Sequence, residues 1–311
     1  MSVQNTLMKA LLRLIRKPIY ASEATLRRHI ARARAKERGD PPPGVQRSCR
    51  IERRDWRGIP CYTVRPLRGE GAGGHLLYLH GGGYHETMAP VRWRLLATLV
   101  NRGDQTATVP LYPLAPEHTH RDTYPRLLDL YRQLCVALPP AQLSVMGDSA
   151  GGGMALSLVQ QAVARGLPSP RQTLLMSPWL DLTLQNPAIR ERERVDPALS
   201  SAGLLVAARW WAGGDDPASS VLSPINGPLA GVGPLLVAVG TADLLHPDAL
   251  RLRERALAAG VDLEFIEREG LPHLFMYAPL PEAKPVVERL VERLRPAAAP
   301  APGALADAPA G

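Results

Sequence analysis

Phenylalanine is nearly missing from this 311-residue chain, which has only two. Its core must therefore rest on Leu, Val and Ala. Lysine is scarce as well: Lys9, Lys17, Lys36 and Lys284 are the only lysines among 37 basic residues, and the rest are arginine. Cysteine is limited to Cys49, Cys61 and Cys135. Three widely spaced thiols make neither a disulfide framework nor a metal motif, and they fit a reducing compartment. No apolar run approaches the roughly 18 residues of a membrane span. The apolar stretch Leu11 to Ile15 is broken by Arg13 and closed by Arg16 and Lys17. It is too short for a signal-peptide core, and no small-residue cleavage site follows. A cytoplasmic, soluble protein without stable membrane insertion is expected.

What is present is ordinary for a globular protein: 45% apolar and 21% charged residues, in a chain long enough for one large domain. The net charge of +8 raises the question of nucleic acid. The densest basic cluster, Arg27, Arg28, Arg32, Arg34, Lys36 and Arg38, is interspersed with Glu23, Glu37 and Asp40 and has no aromatic partners. It reads as a solvated helix face, and no nucleic-acid partner is expected.

Residues 1–38 carry helical spacing. Leu7, Met8, Leu11, Leu12 and Ile15 share a face, with Lys9, Arg13, Arg16 and Lys17 opposite, and a second helix is predicted from Ser22 to Arg38. Gly39 to Gly44, rich in proline, breaks the chain. Short apolar runs then alternate with helical stretches. Strands are predicted at 61–64, 76–79, 106–111, 143–145, 173–176, 235–239 and 263–266. Helices are predicted near 91–101, 123–137, 151–165, 248–259 and 282–294. This alternation implies an α/β fold with a mainly parallel sheet and right-handed crossovers. After Pro296 the chain is nearly all Ala, Pro and Gly, and residues 296–311 are expected to form a disordered tail.

The most informative segment is Leu143-Ser-Val-Met-Gly147-Asp148-Ser149-Ala150-Gly151-Gly152-Gly153. A strand runs into Gly-x-Ser-x-Gly and then into a helix. So tight a turn strains the serine backbone and pushes its hydroxyl out at the carboxyl end of the sheet. A chymotrypsin-type reading fails, because that triad runs His, Asp, Ser in an all-β body. His80-Gly81-Gly82-Gly83-Tyr84 follows the strand at 76–79. A phosphate loop would need a Gly-Lys-Ser/Thr ending, which is absent. The glycines suit an oxyanion hole, expected from the amides of Gly81, Gly82 and Ala150. His80, Gly83, Tyr84, Trp210 and Trp211 are candidate substrate contacts.

A triad in the order Ser, acid, His needs its last two members downstream of Ser149. Asp243 follows the strand at 235–239, and His273 follows the strand at 263–266. Asp248 sits at a helix start, where a carboxylate complements the dipole. His246 is too near Asp243 to be its partner. His118 and His120 precede the serine and read as structural. Ser149, Asp243 and His273 are thus the candidate nucleophile, acid and base.

With these motifs in place, the chain resembles the hormone-sensitive-lipase-like esterases of the α/β-hydrolase fold, family IV of the bacterial lipolytic enzymes. The resemblance rests on His80-Gly81-Gly82-Gly83, Tyr112-Pro113-Leu114-Ala115-Pro116-Glu117-His118, Gly147-Asp148-Ser149-Ala150-Gly151-Gly152, and Glu269-Gly270 with His273 and Phe275. It runs from about residue 60 to 295. It implies a serine carboxylesterase acting on small-molecule esters of short to medium acyl chains, with no cofactor or metal. It also implies cap helices at 1–45, a catalytic domain at 46–295 with a cap element inserted at 184–215, and a homodimer through the edge strand near 263–267. A lactone, or an N-acyl or acetylated metabolite, is the alternative substrate. A non-enzymatic ligand-binding relative is disfavoured, because such relatives lose a triad residue. The chain departs from the family after the acid: Asp243-Leu244-Leu245-His246-Pro247-Asp248 stands where Asp-Pro-Leu and a further acid are usual.

Overall fold

From Gly74 onward, strands of five or six residues alternate with helices. The computed structural model, which describes residues 2–36, 39–69, 71 and 73–295, assembles these strands into one sheet. The strands are β1 (Cys49–Trp56), β2 (Ile59–Pro66), β3 (Gly74–Leu79), β4 (Gln105–Pro110), β5 (Leu143–Asp148), β6 (Gln172–Met176), β7 (Leu235–Gly240) and β8 (Leu263–Arg268). Their order is β1-β2-β4-β3-β5-β6-β7-β8. β2 is antiparallel to both β1 and β4, and all other neighbours run parallel. The expected α/β class and mainly parallel sheet are what the structure contains. The expected tail at 296–311 lies outside the described residues.

The central strands are buried on both faces, so they read as continuous apolar runs. Their side chains alternate in destination. Leu77, Leu79, Val145, Leu175 and Val237 enter one core, together with the helices α5 (His120–Ala137), α6 (Ala150–Ala164) and α9 (His246–Ala258). Leu76, Tyr78, Met146, Leu174 and Leu236 enter the other, with α4 (Pro90–Gly103) and α10 (Lys284–Leu294).

β1 was not predicted. Its sequence, Cys-Arg-Ile-Glu-Arg-Arg-Asp-Trp, shows no apolar alternation. It is an edge strand that pairs only with β2, and its charges keep the free edge soluble. The Arg57-Gly58 turn, with φ of 50° and 80°, closes the hairpin.

The N-terminal helices α1 (Val3–Ile15) and α2 (Glu23–Lys36) form as expected, but α1 is rotated so that only part of its predicted face points inward. Leu7, Leu11 and Ile15 of the predicted packing face are 65%, 55% and 54% exposed. The inward side carries Asn5, Met8, Lys9 and Leu12. Asn5 Nδ2 and Lys9 Nζ both donate to Gly270 O, at 3.4 and 3.2 Å. Polar contacts to the body, together with packing of Met8 and Leu12, accompany this orientation of the helix. A short helix, α3 (Pro43–Ser48), precedes β1. Between β6 and β7 lie α7 (Ile189–Val195) and α8 (Ser201–Ala212). α2 rests on α8 through Glu23 and Arg209.

Candidate active site

Ser149 joins β5 to α6 at φ 53° and ψ −122°, a backbone conformation that costs a non-glycine residue energy. The surrounding chain enforces it. The Ser149 N–H donates to Met176 O at 2.9 Å, and its carbonyl accepts from Trp179 N at 2.8 Å. A Cβ at Gly147 would lie 2.1 Å from Gly151 O, and one at Gly151 would lie 2.1 Å from Leu79 O. Only glycine fits at either position, so the Gly-x-Ser-x-Gly spacing is dictated by backbone crowding.

The three distant candidates meet in one hydrogen-bonded chain. His273 Nε2 lies 3.0 Å from Ser149 Oγ, and its Nδ1 lies 2.9 Å from Asp243 Oδ2. Asp243 is wholly buried and Ser149 is 8% exposed. The other Asp243 oxygen accepts from Leu245 N at 2.9 Å, which fixes the carboxylate's rotation. Burial by itself pulls the His273 imidazole down. The charge of Asp243 and its hydrogen bond outweigh this and hold it above its ordinary value. The loop carrying His273 is tied down by Gly270 N to Thr241 Oγ1 at 2.8 Å and Leu274 N to Ser177 Oγ at 3.3 Å.

The glycine loop differs from expectation at one residue. The Gly81 N–H donates to Asp148 Oδ1 at 2.9 Å, so it is spent inside the protein and not free for a ligand. The N–H groups of Gly82, Gly83 and Ala150 have no acceptor among the described residues. Gly82 and Gly83 turn the loop at φ 117° and 58°. Asp148 also accepts from Tyr78 Oη at 2.6 Å and from Arg92 Nε at 2.8 Å. Burial pushes the Asp148 carboxyl up, but Arg92 and these bonds hold it below the usual carboxylate range. Sequence reasoning missed Arg92, because an arginine on α4 carries no sign that it turns inward.

His80 does not face open space. It is fully buried, its Nδ1 is 2.9 Å from Gly81 O, and its ring stacks on Tyr112 at 4.3 Å. Burial depresses it to about 4, so it stays neutral and braces the loop. Tyr112, from the second family motif, adds a bond from its hydroxyl to His80 O at 2.7 Å. Tyr84 stacks on Trp211 at 4.5 Å and tilts against Trp179 at 5.5 Å. The two tryptophans of α8 thus separate. Trp211 is buried in this aromatic group, while Trp210 is half-buried and lies under the Arg27 guanidinium at 4.7 Å. Trp210, the other candidate contact on α8, packs against Arg27 of α2.

The rejected alternatives are engaged elsewhere. His246 Nε2 is 2.5 Å from Glu267, His120 Nε2 is 2.8 Å from Asp215, and Asp248 accepts from Asn186 at 2.9 Å. Among the described residues no group of His, Cys, Asp and Glu could hold a metal ion. No helix of the described residues is long and apolar enough to cross a membrane. Two inward-facing acids, one half-buried and one wholly buried, went unnoticed in the sequence. Glu86, just past the glycine loop, pairs with Arg16 at 3.0 Å and His29 at 2.9 Å, both from the N-terminal segment. Asp196, after α7, lies beside Asp243.

Comparison with known proteins places this geometry. The family profile described as the alpha/beta hydrolase fold matches residues 76–277. An acetyl-hydrolase of Streptomyces hygroscopicus is 34% identical over 229 residues, 72% of this chain and 76% of that protein. The crystal structure of EstE5 soaked with p-nitrophenyl butyrate matches with a TM-score of 0.84 at 28% identity, covering 95% of this chain and 98% of that one. An esterase from the bacterial hormone-sensitive lipase family matches with a TM-score of 0.80 at 27% identity, over 95% and 98% of the two chains. The chain belongs to the α/β-hydrolase fold family. Within it, this protein is a carboxylic ester hydrolase of the bacterial hormone-sensitive-lipase type.

Proposed function

We propose that this protein hydrolyses small carboxylic esters of short to medium acyl chain through a covalent acyl-Ser149 intermediate. The observation that carries the reading is the chain Ser149 Oγ, His273 Nε2, His273 Nδ1, Asp243 Oδ2, with steps of 3.0 and 2.9 Å. His273 takes the Ser149 proton as Oγ attacks the ester carbonyl carbon. The carbonyl oxygen becomes an oxyanion, received by the N–H groups of Gly82, Gly83 and Ala150. Each such donor is worth roughly 10²–10³ in rate. His273 then passes its proton to the departing alkoxide, leaving acyl-enzyme and alcohol. Water, deprotonated by His273, attacks the acyl-enzyme, and the returning proton regenerates Ser149. Asp243 stabilises the imidazolium between these transfers. All groups needed are side chains and amides of the chain, so the reading calls for no cofactor.

Acyl groups of modest size are favoured because Tyr84, Trp179 and Trp211 form a filled aromatic group next to the glycine loop and the start of α6. The N-terminal helices and the segment 184–215 act as the cap. Arg16 and Lys17, which reach Glu86 and the carbonyls of Glu193 and Asp196, support that role. The free edge of β8 would pair two copies, which sedimentation would detect as a dimer.

The test is turnover of p-nitrophenyl esters from acetate to decanoate by wild type and Ser149→Ala. The expected result is a burst of nitrophenol followed by turnover in wild type, falling off with chain length, and neither in the variant. Equal rates for the two proteins, or no labelling of Ser149 by a fluorophosphonate, overturn the proposal.

A further inference from the structure

Beside the Asp243–His273 pair lies a second buried carboxylate with no part in the steps above. Asp196 caps the C-terminal end of α7 and is wholly buried. Its Oδ1 accepts from the N–H groups of Ala198 and Leu199 at 2.6 and 2.8 Å, which shapes the turn into α8. Its Oδ2 accepts from Leu244 N at 2.6 Å. Leu244 directly follows Asp243, and the next amide, Leu245 N, donates to Asp243 itself. Two consecutive amides of one loop are thus held by two neighbouring carboxylates, one from the cap segment and one from the loop. A second tie runs parallel to the first: Arg192 of α7 donates to Thr241 O at 2.8 Å. The backbone carbonyl of Asp196 is in turn held by Lys17 Nζ at 2.6 Å.

We infer that Asp196 is a positioning residue for the esterase reaction, fixing the Asp243 loop through Leu244 and adding its negative charge to that of Asp243 in the field of the His273 imidazole. The inference rests on the triad reading above and deepens it. Nothing solvent-exposed is needed, and Asp196 touches no substrate. Two buried carboxylates that hold consecutive amides of one loop each raise the cost of ionising the other. The amide donors at Asp196 and the imidazole of His273 offset part of that cost. Burial and then the Asp243 charge still push the Asp196 carboxyl up to about 6.

The groups facing the imidazole come from three segments. Asp243 lies on its own loop, Asp196 on the cap segment and Asp148 at the end of β5, and all three raise it, while Ser149 Oγ is its hydrogen-bond partner. Around Asp196 the charged groups are Asp243, His273, Lys17 at its carbonyl and Arg192 at Thr241. Removing the Asp196 charge therefore takes away one of three acids that favour the imidazolium, and His273 becomes less basic.

The experiment compares wild type, Asp196→Asn and Asp196→Ser on p-nitrophenyl acetate from pH 5 to 9, with Ser149→Ala as the blank. Serine keeps one small acceptor for the Ala198 and Leu199 amides and so guards against an asparagine variant that fails to fold. The expected result is a kcat lower by on the order of 10- to 100-fold with KM little changed. The acid limb of kcat/KM should also move to lower pH by about one unit. Fluorophosphonate labelling of Ser149 should slow but persist. A kcat within about twofold of wild type, or an acid limb that stays in place in a folded variant, overturns the inference. The triad reading fails separately, by activity surviving in Ser149→Ala.

Discussion

The Gly81 N–H donates to the Asp148 carboxylate at 2.9 Å, so the residue before the nucleophile holds the loop that faces it. Asp148 also receives the Arg92 guanidinium and the Tyr78 hydroxyl, and its burial is complete. One carboxylate thereby locks the glycine loop, β3 and α4 to the strand that leads into Ser149. The amides of Gly82 and Gly83 take their direction from that lock.

Cutting the lock from the α4 side should be costly. Arg92→Met leaves Asp148 as a buried carboxylate without its counter-charge. A loss of about 3–5 kcal/mol is expected, read as a drop in the urea midpoint at unchanged slope. A midpoint within experimental error of wild type would show that Asp148 does not need Arg92.

The pH dependence of kcat/KM follows from His273. Its pull above the ordinary value by Asp243 puts the acid limb above about pH 6.5, since only the neutral ring can take the Ser149 proton. Activity should rise as pH climbs through that limb. Asp243→Asn should lower kcat by on the order of 10⁴ and shift the limb down, because the ring loses both its tautomer control and its counter-charge. A limb that does not respond to Asp243→Asn would remove Asp243 from the mechanism.

The neighbouring tryptophans of α8 should behave unlike one another. Trp211→Ala opens a cavity against Tyr84 and should cost about 3–5 kcal/mol in chemical denaturation. Trp210→Ala removes a half-buried ring and the Arg27 contact and should cost less, about 1–2 kcal/mol. Similar losses for both would contradict their separate environments.

Asp248 offers a test of burial away from the reaction. Burial lifts its carboxyl to about 6, and its Oδ2 has no partner among the described residues. An acid raised on folding destabilises the native state when ionised. The cost is complete above about pH 6 and vanishes below about pH 4, near the unfolded value. Asp248→Asn should therefore stabilise the protein at pH 8 by about 1–2 kcal/mol, part of the gain being lost to the unpaired amide. Thermal unfolding should show the increment shrinking to nothing near pH 4. A gain independent of pH would mean that charge is not its source.

Much of the fold was legible because its signals are local. The central strands, buried on both faces, announce themselves as apolar runs, and α6 and α9 end at glycines. β1 was invisible for the opposite reason: an edge strand with one buried residue, Cys49, needs no pattern. Asp196 was hidden in Ile-Arg-Glu-Arg-Glu-Arg-Val-Asp, a run that reads as a solvated helix. Arg92 and Arg94 sit two residues apart on α4, and only the first is buried. Their helix spacing separates them but does not say which one faces the core.

The sequence by itself determined the α/β class, the strained serine turn and the order in which Ser149, Asp243 and His273 follow the strands, because each depends on neighbours within a few residues or on chain order. Tertiary structure decided which glycine amides stay free, which tryptophan is buried, how α1 is turned and which second acid holds the Asp243 loop. Those outcomes are settled by partners tens to hundreds of residues away, such as Asp148 for Gly81 and Leu244 for Asp196, and no local pattern encodes a contact of that range.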